Sequence, residues 1–278
     1  MKPIAHATFC FLLLCLPLFG QPAQTLIIPD VVDGGGWQST IVLTNSSATN
    51  ASATLIFHSD TTAGNTQPWT PPFLEVSSTA GLVLSGGSSM YLHTMGTAAV
   101  LAQGWAELDA DAGIVAYAIF TNRVSGHQDQ DSTAPAVTAT NRILMPYDDA
   151  SGFVSAIAVV NPTAAAQTIA VGFRTVDGAV ALASLPTVPA LGHMTFVLSQ
   201  QFPVIAGHRG LAEFYSATGN LSMIAFRFNP TQSSASAPVY FQTGAPLITA
   251  PSPDPGPSPD PGPPPYMYNA VRPTGGVQ

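Results

Sequence analysis

Cysteine and lysine are almost missing from these 278 residues: Cys10, Cys15 and Lys2 are all there is of either, and all lie at the N-terminus. Lys2 precedes an apolar run at 9–19, followed by small residues at Gly20 and Ala23. That order is a secretory signal peptide, expected to be cleaved near Gly20 or Ala23. Spanning a membrane takes about 20 apolar residues, and this run is shorter and broken by Pro17, so no span is expected in the mature chain. Leu14 precedes Cys15 where a lipoprotein signal would carry a small residue, so lipidation is not expected.

A mature chain without cysteine excludes cysteine proteases, thiol redox centres and thiolate-bound zinc. Charge is scarce as well. Charged residues make up 8% of the chain, against about 25% in ordinary soluble domains. Beyond the leader, six arginines face fifteen acids, a net charge of −9, which repels phosphate backbones and argues against nucleic acid. The wettable surface must come from Ser, Thr, Gly, Asn and Gln, which suits neutral partners such as polysaccharide or another extracellular protein.

Amphipathic helical periodicity is absent, and so are the usual catalytic sets. There is no Gly-x-Ser-x-Gly and no His-Glu-x-x-His. The three glutamates are Glu75, Glu107 and Glu213. Glu107 and Glu213 alternate with Ala106/Leu108 and Ala212/Phe214, which puts both on a solvent face. His58 reads as an exposed strand position. No catalytic residue and no cofactor is expected.

What the chain does have is a repeat. IIPDVVDGGGWQSTIVLTNSS at 27–47 returns as LMPYDDASGFVSAIAVVNPT at 144–163. At one constant offset Gly36 meets Gly152, Trp37 meets Phe153, Ser39 meets Ser155, Asn45 meets Asn161 and His58 meets Arg174. Gly104-Trp105-Ala106-Glu107 returns as Gly210-Leu211-Ala212-Glu213 at a smaller offset, so the first copy holds an insertion, placed at 61–73. The period exceeds the roughly 20–50 residues of a solenoid unit and implies a duplicated domain.

Apolar residues alternate with a period of two through 24–249, with Gly and Asn clusters between the runs. Strands are expected at 80–85, 89–94, 104–109 and 113–121, then at 154–160, 168–175, 179–185, 193–198, 210–215 and 220–228. About seven short strands per copy predict an all-β chain: two tandem immunoglobulin-like β-sandwich domains from an internal duplication, at 24–136 and 137–249. A single large jelly roll is the alternative. A small, polar boundary falls at 133–142. From Pro251 the repeated PSPDPG predicts a polyproline spacer at 250–265, ending in a short tail at 266–278 that can be a disordered end or a tether.

Three marks stand out: Ile28-Pro29 with Asp33-Gly34-Gly35-Gly36-Trp37, Asn161-Pro162-Thr163, and Arg227-Phe228-Asn229-Pro230-Thr231. In these the chain resembles a family of secreted soil-bacterial proteins with tandem β-rich copies and no assigned activity, over about 26–243. Asn45-Ser46 departs from the Asn-Pro of that pattern, and Ala150-Ser151-Gly152 stands where a longer glycine run is expected. The resemblance implies export and tandem β-domains, and it lends no site residues.

Among candidate sites, the glycines of DGGGW serve strand entry, and Trp37 has core parity. Asp109 and Asp111 begin a calcium-loop-like run but lack its distal glutamate, so a hairpin turn is the favoured reading over a metal site. His127, Asp129 and Asp131 form one acidic loop cluster, Asp148 and Asp149 another. Trp69, stiffened by Pro68, Pro71 and Pro72 inside the insertion, is the candidate ligand platform, with a lid folded over the sandwich edge as the favoured structural reading. The chain then reads as a non-catalytic secreted or surface-displayed protein for adhesion or for glycan or matrix binding. A self-associating assembly subunit is the alternative, and a secreted hydrolase the third.

Overall fold

A computed structural model describes residues 24–60, 67–123, 128–231 and 233–250. The leader, the Pro-rich segment from 251, the tail and His127 lie outside the described residues. Nine strands form the N-terminal half: β1 (Gln24–Asp33), β2 (Trp37–Asn45), β3 (Ala51–Ser59), β4 (Gln67–Trp69), β5 (Leu82–Leu84), β6 (Ser89–His93), β7 (Ala102–Ala110), β8 (Ile114–Asn122) and β9 (Gln130–Pro135). Nine more form the C-terminal half: β10 (Arg142–Asp148), β11 (Val154–Val160), β12 (Ala170–Thr175), β13 (Val180–Ser184), β14 (His193–Val197), β15 (Arg209–Tyr215), β16 (Ser222–Phe228), β17 (Ser234–Ala237) and β18 (Tyr240–Gln242). Among the described residues the one α-helical turn, α1 (Leu198–Gln201), follows β14.

Each half is two antiparallel sheets face to face. The order β1-β7-β3-β4 packs on β6-β2-β8-β9, and β13-β12-β15-β10-β18 packs on β14-β11-β16-β17. The halves therefore follow one strand order, and the fold is two β-sandwiches, not one jelly roll. The cores follow the period of two: Ala53, Leu55 and Phe57 point inward from β3, and Val171 and Phe173 do so from β12. Strands β4, β9, β17 and β18 carry no run of alternating large apolar residues and are not expected from the sequence. Trp69 sits in one of them: β4 pairs with β3 as β13 pairs with β12, and Trp69 lies opposite Phe57.

The same bonds recur at matched positions in the two sandwiches. Ser39 Oγ accepts from the Val32 amide and donates to the Val32 carbonyl, as Ser155 does with Asp148. Buried Asn45 donates to the carbonyls of Thr49, Leu84 and Ser85 and accepts from Ser47, clamping two loops. Asn161 does the same with Ala165, Val188, Pro189 and Thr163. The departure from Asn-Pro at Asn45-Ser46 leaves this clamp intact, since the asparagine side chain makes it.

The β1–β2 turn places Gly35 and Gly36 at φ of 61° and 91°, and the β10–β11 turn places Ser151 and Gly152 at 55° and 81°. Two left-handed residues in a row make the primed two-residue turn whose twist matches antiparallel strands. Glycine at 104 and 210 has another cause: a Cβ there would lie 2.0 Å from the His58 carbonyl oxygen and 2.1 Å from that of Arg174.

Two expectations change. Glu213 is buried, not solvent-facing, because residues 246–248 cross its sheet as a strap and the Leu247 and Ile248 amides donate to its carboxylate at 2.7 and 2.6 Å. His58 is half-buried, stacked on the Trp105 indole at 4.3 Å. The segment at 133–142 is tied into both sandwiches, since Val137 bridges to Ile27 and Thr140 to Leu221.

Candidate functional site: a trough between the sandwiches

Strand β1 is buried along nearly its whole length because both of its faces are covered. One face lines its own core. On the other side Ile27 and the fully buried Trp105 pack against Val160 of the second sandwich, with Ala139 and Leu191 around them. Trp105 Nε1 donates to the Leu191 carbonyl at 3.0 Å. Farther along, Phe120 meets Phe226 edge-on at 6.0 Å, and Thr133 of β9 exchanges hydrogen bonds with Ser236 of β17.

A buried polar cluster sits in this junction. His193 Nδ1 lies 2.9 Å from Asp60 Oδ2, and its Nε2 lies 4.0 Å from Asp30 Oδ1, which accepts from Gln103 at 3.2 Å. Burial pushes the Asp30 carboxyl up to about 6, against the opposing pull of His193. Burial alone would depress His193, but the hydrogen bond it donates to Asp60 and the charges of Asp30 and Asp60 outweigh it and hold the imidazole above its ordinary value.

Beside the cluster a chamber of about 280 Å³ opens, with Asp30 and Gln103 at one end and Trp37, Phe120, Phe196, Phe226 and Phe228 as walls. It continues past Trp37, Val197, Phe228 and Ser234 into a trough of about 520 Å³ rimmed by Asn122, Gln130, Asn229 and Thr231. Strand order produces this rim: Trp37 and Asn122 are register partners on β2 and β8, and Asn122 pairs in turn with Gln130 on β9. Asn229 turns its Oδ1 onto Thr231 and Ser233. Its amide nitrogen makes no hydrogen bond among the described residues, and neither do the side chains of Asn122 and Gln130. Of the residues lining the two spaces, Asp30 is the one that ionises.

The residues singled out from the sequence fall elsewhere. Trp69 is half-buried, edge-on to Phe57 at 6.3 Å, at the far side of the first sandwich. Asp109 accepts from Thr25 and Asp111 from the Ser52 amide, so each is used within the β7–β8 hairpin and its neighbours. Asp131 accepts from Thr121, and Asp129 stands 3.8 Å from Arg123. No group of three or more metal-ligating side chains forms among the described residues. Trp37 packs on the core as its parity requires and also walls the trough. The trough itself escaped the sequence because it exists only where two separately patterned sandwiches meet.

No protein-family model matches the chain, and no curated protein matches it. Among the described residues, no helix is long and apolar enough to cross a membrane.

Proposed function

We propose that the chain is a non-catalytic, exported or surface-displayed protein that binds a neutral glycan or matrix segment in the trough between its sandwiches. One observation carries this reading: Trp37 and Phe228 wall a space whose rim offers amides and hydroxyls and no charge. Sugar rings present apolar C–H faces that stack on aromatics and hydroxyls that bond to amides. A volume of about 520 Å³ lies within the roughly 300–1,000 Å³ of ordinary ligand sites. Glycoside hydrolysis needs two carboxyl groups flanking the bond. The trough and chamber supply Asp30 alone, while Asp60 is engaged by His193 outside the lining.

The test is a neutral-oligosaccharide array followed by calorimetry on Phe228→Ala and Gln130→Ala. Phe228→Ala is expected to weaken binding by roughly 5- to 150-fold, taking ring stacking to contribute about 1–3 kcal/mol, as a base on an aromatic does. Wild-type protein that binds nothing on the array sinks the reading. Trp69 is a second proposed contact, at a separate surface. Assembly through sheet edges is the competing reading, favoured by β13, an edge strand with Leu182 54% exposed. Concentration-dependent sedimentation would support it.

A further inference from the structure

Where the outer face of the β13-β12-β15-β10-β18 sheet meets the β17 edge of the sheet packed on it lies a second open space, a cleft of about 610 Å³. Arg174, Arg209 and Arg227 line it, half of the six arginines in a chain of net charge −9 beyond its leader. One acid, Asp148, lines it too. Asp148 fixes Arg227 through two contacts at 3.1 and 2.7 Å and stands 3.3 Å from Arg209. Arg227 is held further by the Phe153 ring, 3.6 Å from its guanidinium. Arg174 makes no ion pair among the described residues.

Register brings the other two arginines together. Arg174 pairs with Leu211, and Arg209 is two residues before Leu211 on the same face. Such diagonal neighbours stand about 7–8 Å apart, close enough for both guanidinium groups to meet one oxyanion. We infer that this cleft is a binding site for an acidic sugar, in which Arg174 and Arg209 clasp a carboxylate or sulfate substituent and the ring lies against Leu211 and Pro238. This site is separate from the trough and does not rest on the neutral-glycan reading.

The other sandwich shows why a ligand and not a protein face fits here. In the first sandwich His58 pairs with Trp105 as Arg174 pairs with Leu211, and that face is covered by Leu191 and His193 of the second. On the second sandwich the strap at 246–248 covers the Glu213 end of this face and leaves the Arg174–Leu211 end open. A further copy of the chain docking there in the same manner would bring the loop at 85–89, Ser-Gly-Gly-Ser-Ser, which has no acid to meet the arginines.

Calorimetry on the full secreted chain with a uronic-acid tetrasaccharide, a sulfated one, their neutral counterpart and sodium sulfate tests the inference. The acidic sugars are expected to bind and to weaken as salt rises toward about 0.5 M. Arg174→Ala and Arg209→Ala should each weaken that binding at least tenfold. Arg174→Lys should restore part of it, since a lysine gives a point charge and no fork. Arg123→Ala and Phe228→Ala should leave it unchanged, which separates this site from the trough. All variants are checked for unchanged thermal midpoints, and these arginines are exposed enough for that to hold. Equal affinity for acidic and neutral sugars overturns the inference, as does full binding by Arg174→Ala. Sodium sulfate binding as tightly as the sulfated tetrasaccharide also overturns it, because the sugar would then contribute nothing.

Discussion

At the scale of single residues, the three tryptophans show how far parity reaches. Trp37 shares the parity of Ile41 and Leu43 and packs on the core, as the sequence implies. Trp105 shares the parity of Glu107, which would leave it in solvent in an isolated sandwich, yet it is fully buried. The groups that close over it, Val160 and Leu191, come from the other sandwich, and no pattern within one copy can reveal them. Trp69 was expected to be free of core parity, but β4 sets it against Phe57. Trp105→Ala is expected to destabilise the fold by about 3–5 kcal/mol, as a buried aromatic truncation does, and Trp69→Ala by roughly half as much. Denaturant midpoints measure both. Unchanged stability in Trp69→Ala together with lost surface binding would make Trp69 a contact residue after all.

Among whole elements, strands with apolar alternation were readable, the edge strands β6, β13 and β14 included, and β4, β9, β17 and β18 were not. The expected strand at 154–160 matches β11, and those at 89–94 and 210–215 match β6 and β15 to within a residue. Strands of three to six residues at sheet edges, such as β4, β9 and β18, are set by a neighbouring backbone more than by their own side chains. The strap at 246–248 belongs to the same class, and it is why Glu213 is buried while its counterpart Glu107 is half-exposed. Removing the Glu213 carboxylate orphans the buried Ile248 amide and the part-buried Leu247 amide, so Glu213→Ala should cost about 2–4 kcal/mol. Glu107→Ala, with no such bonds, should change stability by no more than about 0.5 kcal/mol. Hydrogen exchange at Leu247 and Ile248 should accelerate only in the Glu213 variant. Slow exchange there in both variants would mean that the strap is held by something other than this carboxylate.

Over the whole molecule, the junction of the sandwiches is the feature that responds to pH. The Asp30 carboxyl titrates near 3.8 unfolded and about 6 folded, so folding takes up a proton in that window and stability falls as pH rises through it. His193 acts in the same direction: its contribution is full below about 6.5 and is lost as pH climbs through its raised folded value. The folded chain should therefore weaken from about pH 4 through about 6 as Asp30 ionises, and further as pH passes the raised His193 value, with Asp30 responsible for up to about 3 kcal/mol. Thermal midpoints of wild type and Asp30→Asn across that range decide it. A slope that persists undiminished in Asp30→Asn would remove Asp30 from the account. Burial of Trp105 by Leu191 has a further consequence, in time. The first sandwich is complete once Pro135 has been made, but Leu191 comes 56 residues later. At the usual pace of about 5–20 residues per second, the Ile27–Trp105 patch stays bare for several seconds. For that interval the newborn chain is a sticky half-product without a trough, and whatever escorts it must shield that one patch.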